Sequence, residues 1–110
     1  MTHDDDHAVW LHERTSVTIV ELERTSGLPR DLLRDLVDMG ALEPLDASAA
    51  EWKFAADCVA RLRRGAQLYR DLELETSALA LALSFMERIE ELEERLRALD
   101  AQLPRPPQRR

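Results

Sequence analysis

The sequence predicts a mostly α fold: a helix-turn-helix domain followed by a long C-terminal helix able to form a coiled coil. Three observations carry this prediction. Apolar residues recur at three- and four-residue steps through 18–39 and again through 55–69. The first of these stretches is broken by Gly27-Leu28-Pro29, a turn between two short helices. Residues 75–103 contain neither Gly nor Pro and end in a seven-residue apolar repeat.

Thr18 is a good N-cap, and Glu21 three residues later completes a capping box, so the first helix begins there. It is expected to turn Ile19, Val20 and Leu22 inward and to end at Ser26-Gly27. Pro29 opens the second helix in the first-turn position that tolerates it. Leu32, Leu33, Leu36, Val37 and Met39 make its apolar face, and Gly40 stops it. After a loop at Leu42-Glu43-Pro44-Leu45, the alternation of Trp52 and Phe54 around Lys53 suits a short strand. A third helix over about 55–69 points Val59, Leu62, Ala66 and Tyr69 inward. Arg61, Arg63, Arg64 and Arg70 cluster on it as the only basic region of the folded part.

The stretch SALALALSF (77–85) alternates like a strand, but it runs unbroken into a strongly helical composition and is read as helix, capped by Thr76 or Ser77. Its Leu–Ala surface fits a helix buried at its start and solvated later. From Ala82 a heptad places Ala82, Ile89, Leu96 and Leu103 at a and Phe85, Leu92 and Leu99 at d. Arg88 and Arg95 then fall at g, Glu93 and Asp100 at e. A parallel homodimer would pair opposite charges across these flanks, whereas an antiparallel one would oppose like charges. The competing reading is an amphipathic helix folded back on its own domain. A self-associating seam through Phe85, Ile89, Leu92, Leu96, Leu99 and Leu103 is the expectation adopted.

Composition bounds the function. The chain has 110 residues, one small domain's worth, with 45% hydrophobic and 34% charged residues. Its 22 acids against 15 bases give a net charge of −7, which repels nucleic acid and anionic membranes at long range. The single cysteine, Cys58, permits neither an intrachain disulfide nor a thiolate cluster, and is expected to be a small buried apolar residue. No signal peptide opens the chain, and the apolar run Ala78–Leu83 is far short of a membrane span, so a cytoplasmic protein of bacterial style is expected. Residues 1–9 read as a disordered N-terminus, 10–74 as the helix-turn-helix domain with a short wing, 75–103 as the C-terminal helix and 104–110 as a disordered Pro/Arg tail. His3 and His7 flank Asp4–Asp6, but without a fold to fix them no metal site is assigned.

The stretch GLPRDLLRDLVDMGALEPL resembles the second helix and exit loop of MerR-type winged helix-turn-helix domains, whose pattern is Gly-Val-x-x-x-x-Leu-Arg-Tyr-Tyr-x-x-x-Gly-Leu-Leu-x-Pro. Gly27 and Leu28 match the turn, Leu33 and Arg34 the Leu-Arg pair, and Gly40, Leu42 and Pro44 the exit. Trp52-Lys53-Phe54 resembles a shortened wing. The departures are Asp35 and Leu36 where that family has two tyrosines, and a wing without its Gly and Arg. Along nearly the whole folded part, and most strongly over Leu74–Leu96, the chain is similar to the CbpM chaperone-modulator family. That resemblance implies a protein that binds the J domain of a DnaJ-like co-chaperone and inhibits its activity, including its stimulation of an Hsp70. No cofactor is expected.

The second helix carries Asp31, Asp35 and Asp38 against Arg30 and Arg34, which is the wrong balance for a helix that reads DNA. Phosphate contacts supply most non-specific affinity for DNA, and each carboxylate opposes them. J domains, by family character, present a basic helix to their Hsp70, and an acidic helix could compete for it through charge. Asp31, Asp35, Asp38 and Trp52 are therefore the expected partner-binding residues. The bland alternative is a solvated face with Asp35 giving i,i+4 support. The alternative function is a MerR-like transcriptional regulator whose dimer reads DNA with Arg30, Arg34 and Lys53; the expectation is that DNA binding is weak or absent, any nucleoid association coming through the partner. Catalysis is not expected. Only three glycines are present and no phosphate loop, and His12 has no Ser or Cys partner at a recognisable spacing.

Overall fold

The structure, a computed structural model, describes residues 16–104. Strand β1 (Ser16–Thr18) leads into helix α1 (Ile19–Ser26), and α2 (Arg30–Asp38) follows across a three-residue turn. Strand β2 (Lys53–Ala55) comes next, then helices α3 (Cys58–Asp71) and α4 (Thr76–Gln102). β1 and β2 pair antiparallel, with Val17 opposite Phe54, and Pro44 makes an isolated bridge to Phe54. The chain is mostly helical with one small sheet, as the sequence predicts. β1 is not foreseen, because three residues that end on a helix cap have no periodicity to read.

The capping box forms as expected: Glu21 N–H donates to Thr18 Oγ1 at 3.1 Å, and Thr18 N–H donates to Glu21 Oε1 at 2.8 Å. The α1–α2 turn is fixed by two devices. Gly27 takes the left-handed conformation at φ 76°, which its missing Cβ permits, and its N–H reaches Glu23 O. The buried Ser26 hydroxyl donates to Leu22 O at 2.7 Å and accepts from Leu28 N–H at 3.1 Å, so its burial leaves no polar atom unmet.

Several local expectations are corrected. Val20 is half exposed, not inward, because at about 100° per residue it lies roughly 200° around α1 from Leu22. Met39 is also half exposed, since it is the C-cap and α2 has ended at Asp38. Pro29 is the N-cap, not the first helical residue. The third helix starts later, at Cys58, and runs to Asp71. Glu75, in extended conformation and without a side-chain capping bond, stands where Thr76 or Ser77 was expected. Arg61 leaves the basic cluster: it is buried, with its guanidinium on Glu90 at 3.3 Å.

Leu22, Leu28, Leu33, Leu36, Phe54, Leu62, Leu79 and Leu83 form one core drawn from every helix and from β2. Each fully buried side chain of this kind contributes ~1.5–3 kcal/mol of transfer free energy. α3 crosses α4 closely at Gly65, where a Cβ would lie 2.6 Å from Leu83 Cδ2 and 3.3 Å from Leu79 Cδ1. The first turns of α4 bury Leu79, Ala80 and Leu83, whereas every residue from Glu91 to Pro104 is exposed. At 1.5 Å per residue α4 is about 40 Å long, and its second half stands clear of the core. The histidines and aspartates of the N-terminal segment and the tail beyond Pro104 lie outside the described residues.

Candidate functional site

α2 packs Leu32, Leu33 and Leu36 inward, which turns Asp31, Asp35 and Asp38 to solvent as one stripe. None of the three has an ion pair among the described residues, so the i,i+4 support suggested for Asp35 is not formed. The dipole of α2 treats the stripe unevenly: Asp31, in the first turn, is favoured there. Asp31 and Asp35 are like charges four residues apart, worth a few tenths of a kcal/mol of destabilisation. Asp38 lies in the last turn, where the helix dipole disfavours an anion by ~0.3–1 kcal/mol.

The stripe is flanked by cations. Arg34 is exposed and holds no ion pair among the described residues. Arg30 Nη2 reaches Glu23 Oε1 of α1 at 3.0 Å, while its Nε is buried without a hydrogen-bond partner. Both arginines line a groove of about 520 Å³ between α2 and the residues entering β2, together with Val20 and Trp52. Trp52 is half-buried. It stacks edge-on against Phe54, ring centroids 6.4 Å apart at 84°, and its Nε1–H donates to Ala47 O at 3.2 Å. The loop before it is braced by Asp46, whose carboxylate accepts Ser48 Oγ–H at 2.7 Å and Ser48 N–H at 3.1 Å. The hydroxyl bond first and the amide bond second hold the Asp46 carboxyl below its usual range. Lys53 is exposed on β2, beside Trp52 in sequence.

A second feature lies along α4. Phe85, Ile89, Leu92, Leu96, Leu99 and Leu103 are all exposed, between 46% and 70% of each residue's surface. The chain's own domain does not cover them, which removes the folded-back reading. Arg88 pairs within its helix with Glu91 at 3.2 Å; Arg95, Glu93 and Asp100 hold no ion pair among the described residues. A third feature is a shallow basic surface where Arg63, Arg64 and Arg70 gather around Gln67 and Thr25. Arg70 there donates to Ser26 O at 3.4 Å.

Cys58 is buried at the start of α3, and desolvation pushes its thiol up to about 11, outweighing the nearby Arg61 cation. Such a thiol is a packing residue, not a nucleophile at neutral pH. Among the described residues no group of three or more His, Cys, Asp or Glu is placed to hold a metal ion, and no helix is long and apolar enough to cross a membrane.

The family profile described as MerR HTH family regulatory protein matches residues 17–101, from β1 almost to the end of α4. A chaperone modulatory protein CbpM from Coxiella burnetii is 38% identical over 89 residues, covering 80% of this chain and 84% of that protein. The chain belongs to the CbpM family. Proteins of the same name from Pseudomonas putida and Salmonella paratyphi B are each 30% identical, over 83 and 88 residues and covering 71% and 80% of this chain. The MerR-type profile spans the helix pair and most of the long helix alike.

Proposed function

We propose that this chain docks on the J domain of a DnaJ-like co-chaperone through the outer face of α2, and that occupancy inhibits the co-chaperone's work with its Hsp70. The observation that carries the reading is the unpaired stripe Asp31, Asp35, Asp38, held outward on one face of α2. A basic helix on the partner would neutralise all three carboxylates, and long-range attraction would raise the encounter rate. The name chaperone modulatory protein carried by the relatives supports the same reading. A co-chaperone partner in turn implies a cytoplasmic setting.

We further propose a homodimer joined along α4. The uncovered stripe from Phe85 to Leu103 repeats every seven residues, and a second copy offers an identical stripe with charges that pair g to e in parallel register.

Calorimetry with the J domain of the same organism's DnaJ-like protein tests the partner. Binding is expected, with an association rate that falls as salt rises, because at ~0.15 M the Debye length is about 8 Å. Reversing Asp31, Asp35 and Asp38 to Lys should weaken it chiefly through the on-rate. Trp52→Ala should cost ~2 kcal/mol of binding if the ring is an interface anchor. Thermal melts separate that from a loss of stability, since the ring also packs on Phe54. No heat and no competition with Hsp70 at tens of micromolar would refute the proposal.

A further inference from the structure

We propose that the groove beside α2 receives a carboxylate side chain of the docked partner, so that recognition reads two opposite charges side by side. This rests on the docking role of the α2 face and adds a specific acidic requirement to it.

In a chain of net charge −7, Arg30 and Arg34 line this groove together with the apolar side chains of Val20 and Trp52. Arg34 has no intrachain ion pair among the described residues and is the cation free to take a carboxylate, whereas Arg30 already holds Glu23 at 3.0 Å. A planar guanidinium is shaped to take a carboxylate on two parallel hydrogen bonds, and partial burial strengthens them. The floor is Val20, whose apolar side chain the domain leaves half exposed, and the half-buried ring of Trp52. Those surfaces suit the methylenes behind a carboxylate or an apolar neighbour of it.

A phosphate polyanion suits the groove poorly. Glu51 lines its other wall. Arg34 lies only about 40° around α2 from Asp38 and about 60° from Asp31, taking about 100° per residue. A chain of phosphates would have to run over those carboxylates, whereas one carboxylate need not. The same spacing means that a partner laying basic residues on the aspartate stripe would bring an acidic one over Arg34 only if it stands close beside them. The occupant is therefore a Glu or Asp flanked by an apolar residue, at the edge of a basic surface.

The test turns on a sign. Against a merely basic partner, Arg34→Glu adds one more attractive charge and should tighten binding. Against a partner that inserts a carboxylate, the same change should weaken binding at least tenfold, and Val20→Asp should do likewise. Both positions are exposed, so melts of the two variants should match the parent. Titration of the full-length chain against the J domain of its DnaJ-like protein, combined with single Glu→Arg and Asp→Arg reversals on that domain, should find one reversal that loses affinity for the parent and regains it with Arg34→Glu. Wild-type binding that Arg34→Glu strengthens or leaves within twofold overturns this inference alone. A wild type that does not bind at all overturns the docking role and this inference with it.

Discussion

Replacing Ile89 and Leu96 with Asp should convert the proposed α4 dimer to monomer. Six apolar residues on α4 stand about half exposed in the single chain, and a facing copy would cover much of that area. Half of a 1.5–3 kcal/mol burial is about 1 kcal/mol per side chain, or ~12 kcal/mol gross for the twelve in a dimer. Association costs ~4–15 kcal/mol, and at the lower end of that range about 6–8 kcal/mol survives, a dissociation constant in the micromolar region. The double substitution removes four of the twelve contributions, about 4 kcal/mol, before the cost of four carboxylates facing the seam. At 1.4 kcal/mol per tenfold this weakens the dimer by about three orders of magnitude or more. Sedimentation equilibrium at tens of micromolar reads the outcome directly: twice the 12.6 kDa chain mass for the parent and a single chain mass for the variant. A parent that sediments as one chain at that concentration refutes the reasoning.

Gly65→Ala should destabilise the fold although Ala favours helix by ~1 kcal/mol, because the added methyl meets Leu83 Cδ2 at 2.6 Å in a full core and overpacking costs ~1–3 kcal/mol. A lowered melting temperature is expected, and an unchanged or raised one means that α3 and α4 cross less tightly. Cys58 should resist alkylation at pH 8 in the native state and react readily in denaturant. Its thiol ionises near 9.0 in the unfolded chain but only at about 11 when folded, so stability should fall as pH climbs between those values, where the unfolded chain alone sheds the proton. Gel shifts at physiological salt should show no discrete complex with native promoter DNA. A nanomolar, sequence-dependent complex lost on Arg34→Ala would reinstate the transcriptional regulator that reads DNA with Arg30, Arg34 and Lys53.

The elements with local signals were legible in the sequence. Thr18 and Glu21 state a helix start through hydrogen bonds that need no tertiary partner, and Gly27 states its end through a backbone conformation most residues avoid. The heptad in α4 was legible for the same reason, since its register depends on sequence spacing alone. Expectations failed where position depends on what packs opposite. β1 exists because Val17 finds Phe54 across the sheet, which no window of residues 16–18 can show. Arg61 looked like part of a basic cluster until Glu90, 29 residues away, met it at the α3–α4 contact.

Val20 joins these two levels. Its apolar character suggested the core, yet its angle from Leu22 already turned it outward, and periodicity applied strictly would have exposed it. What the sequence could not supply is the neighbour. The groove needs Val20 from α1, Arg30 and Arg34 from α2, and Trp52 from beyond a loop of more than ten residues. Arg34 belongs to two readings through this arrangement. As a position in a linear pattern it matches the Leu-Arg pair of a DNA-reading helix. Set beside Val20 and Trp52, and bordered by Asp31 and Asp38, it becomes the cation of a mixed-charge face. The surrounding carboxylates oppose any anion there, but a run of phosphates must pass over several of them, whereas a single acidic side chain brings only one charge. On the proposed reading, the winged helix-turn-helix frame is kept while its partner changes from nucleic acid to protein, through the charges on one face of α2 and with its leucines still buried.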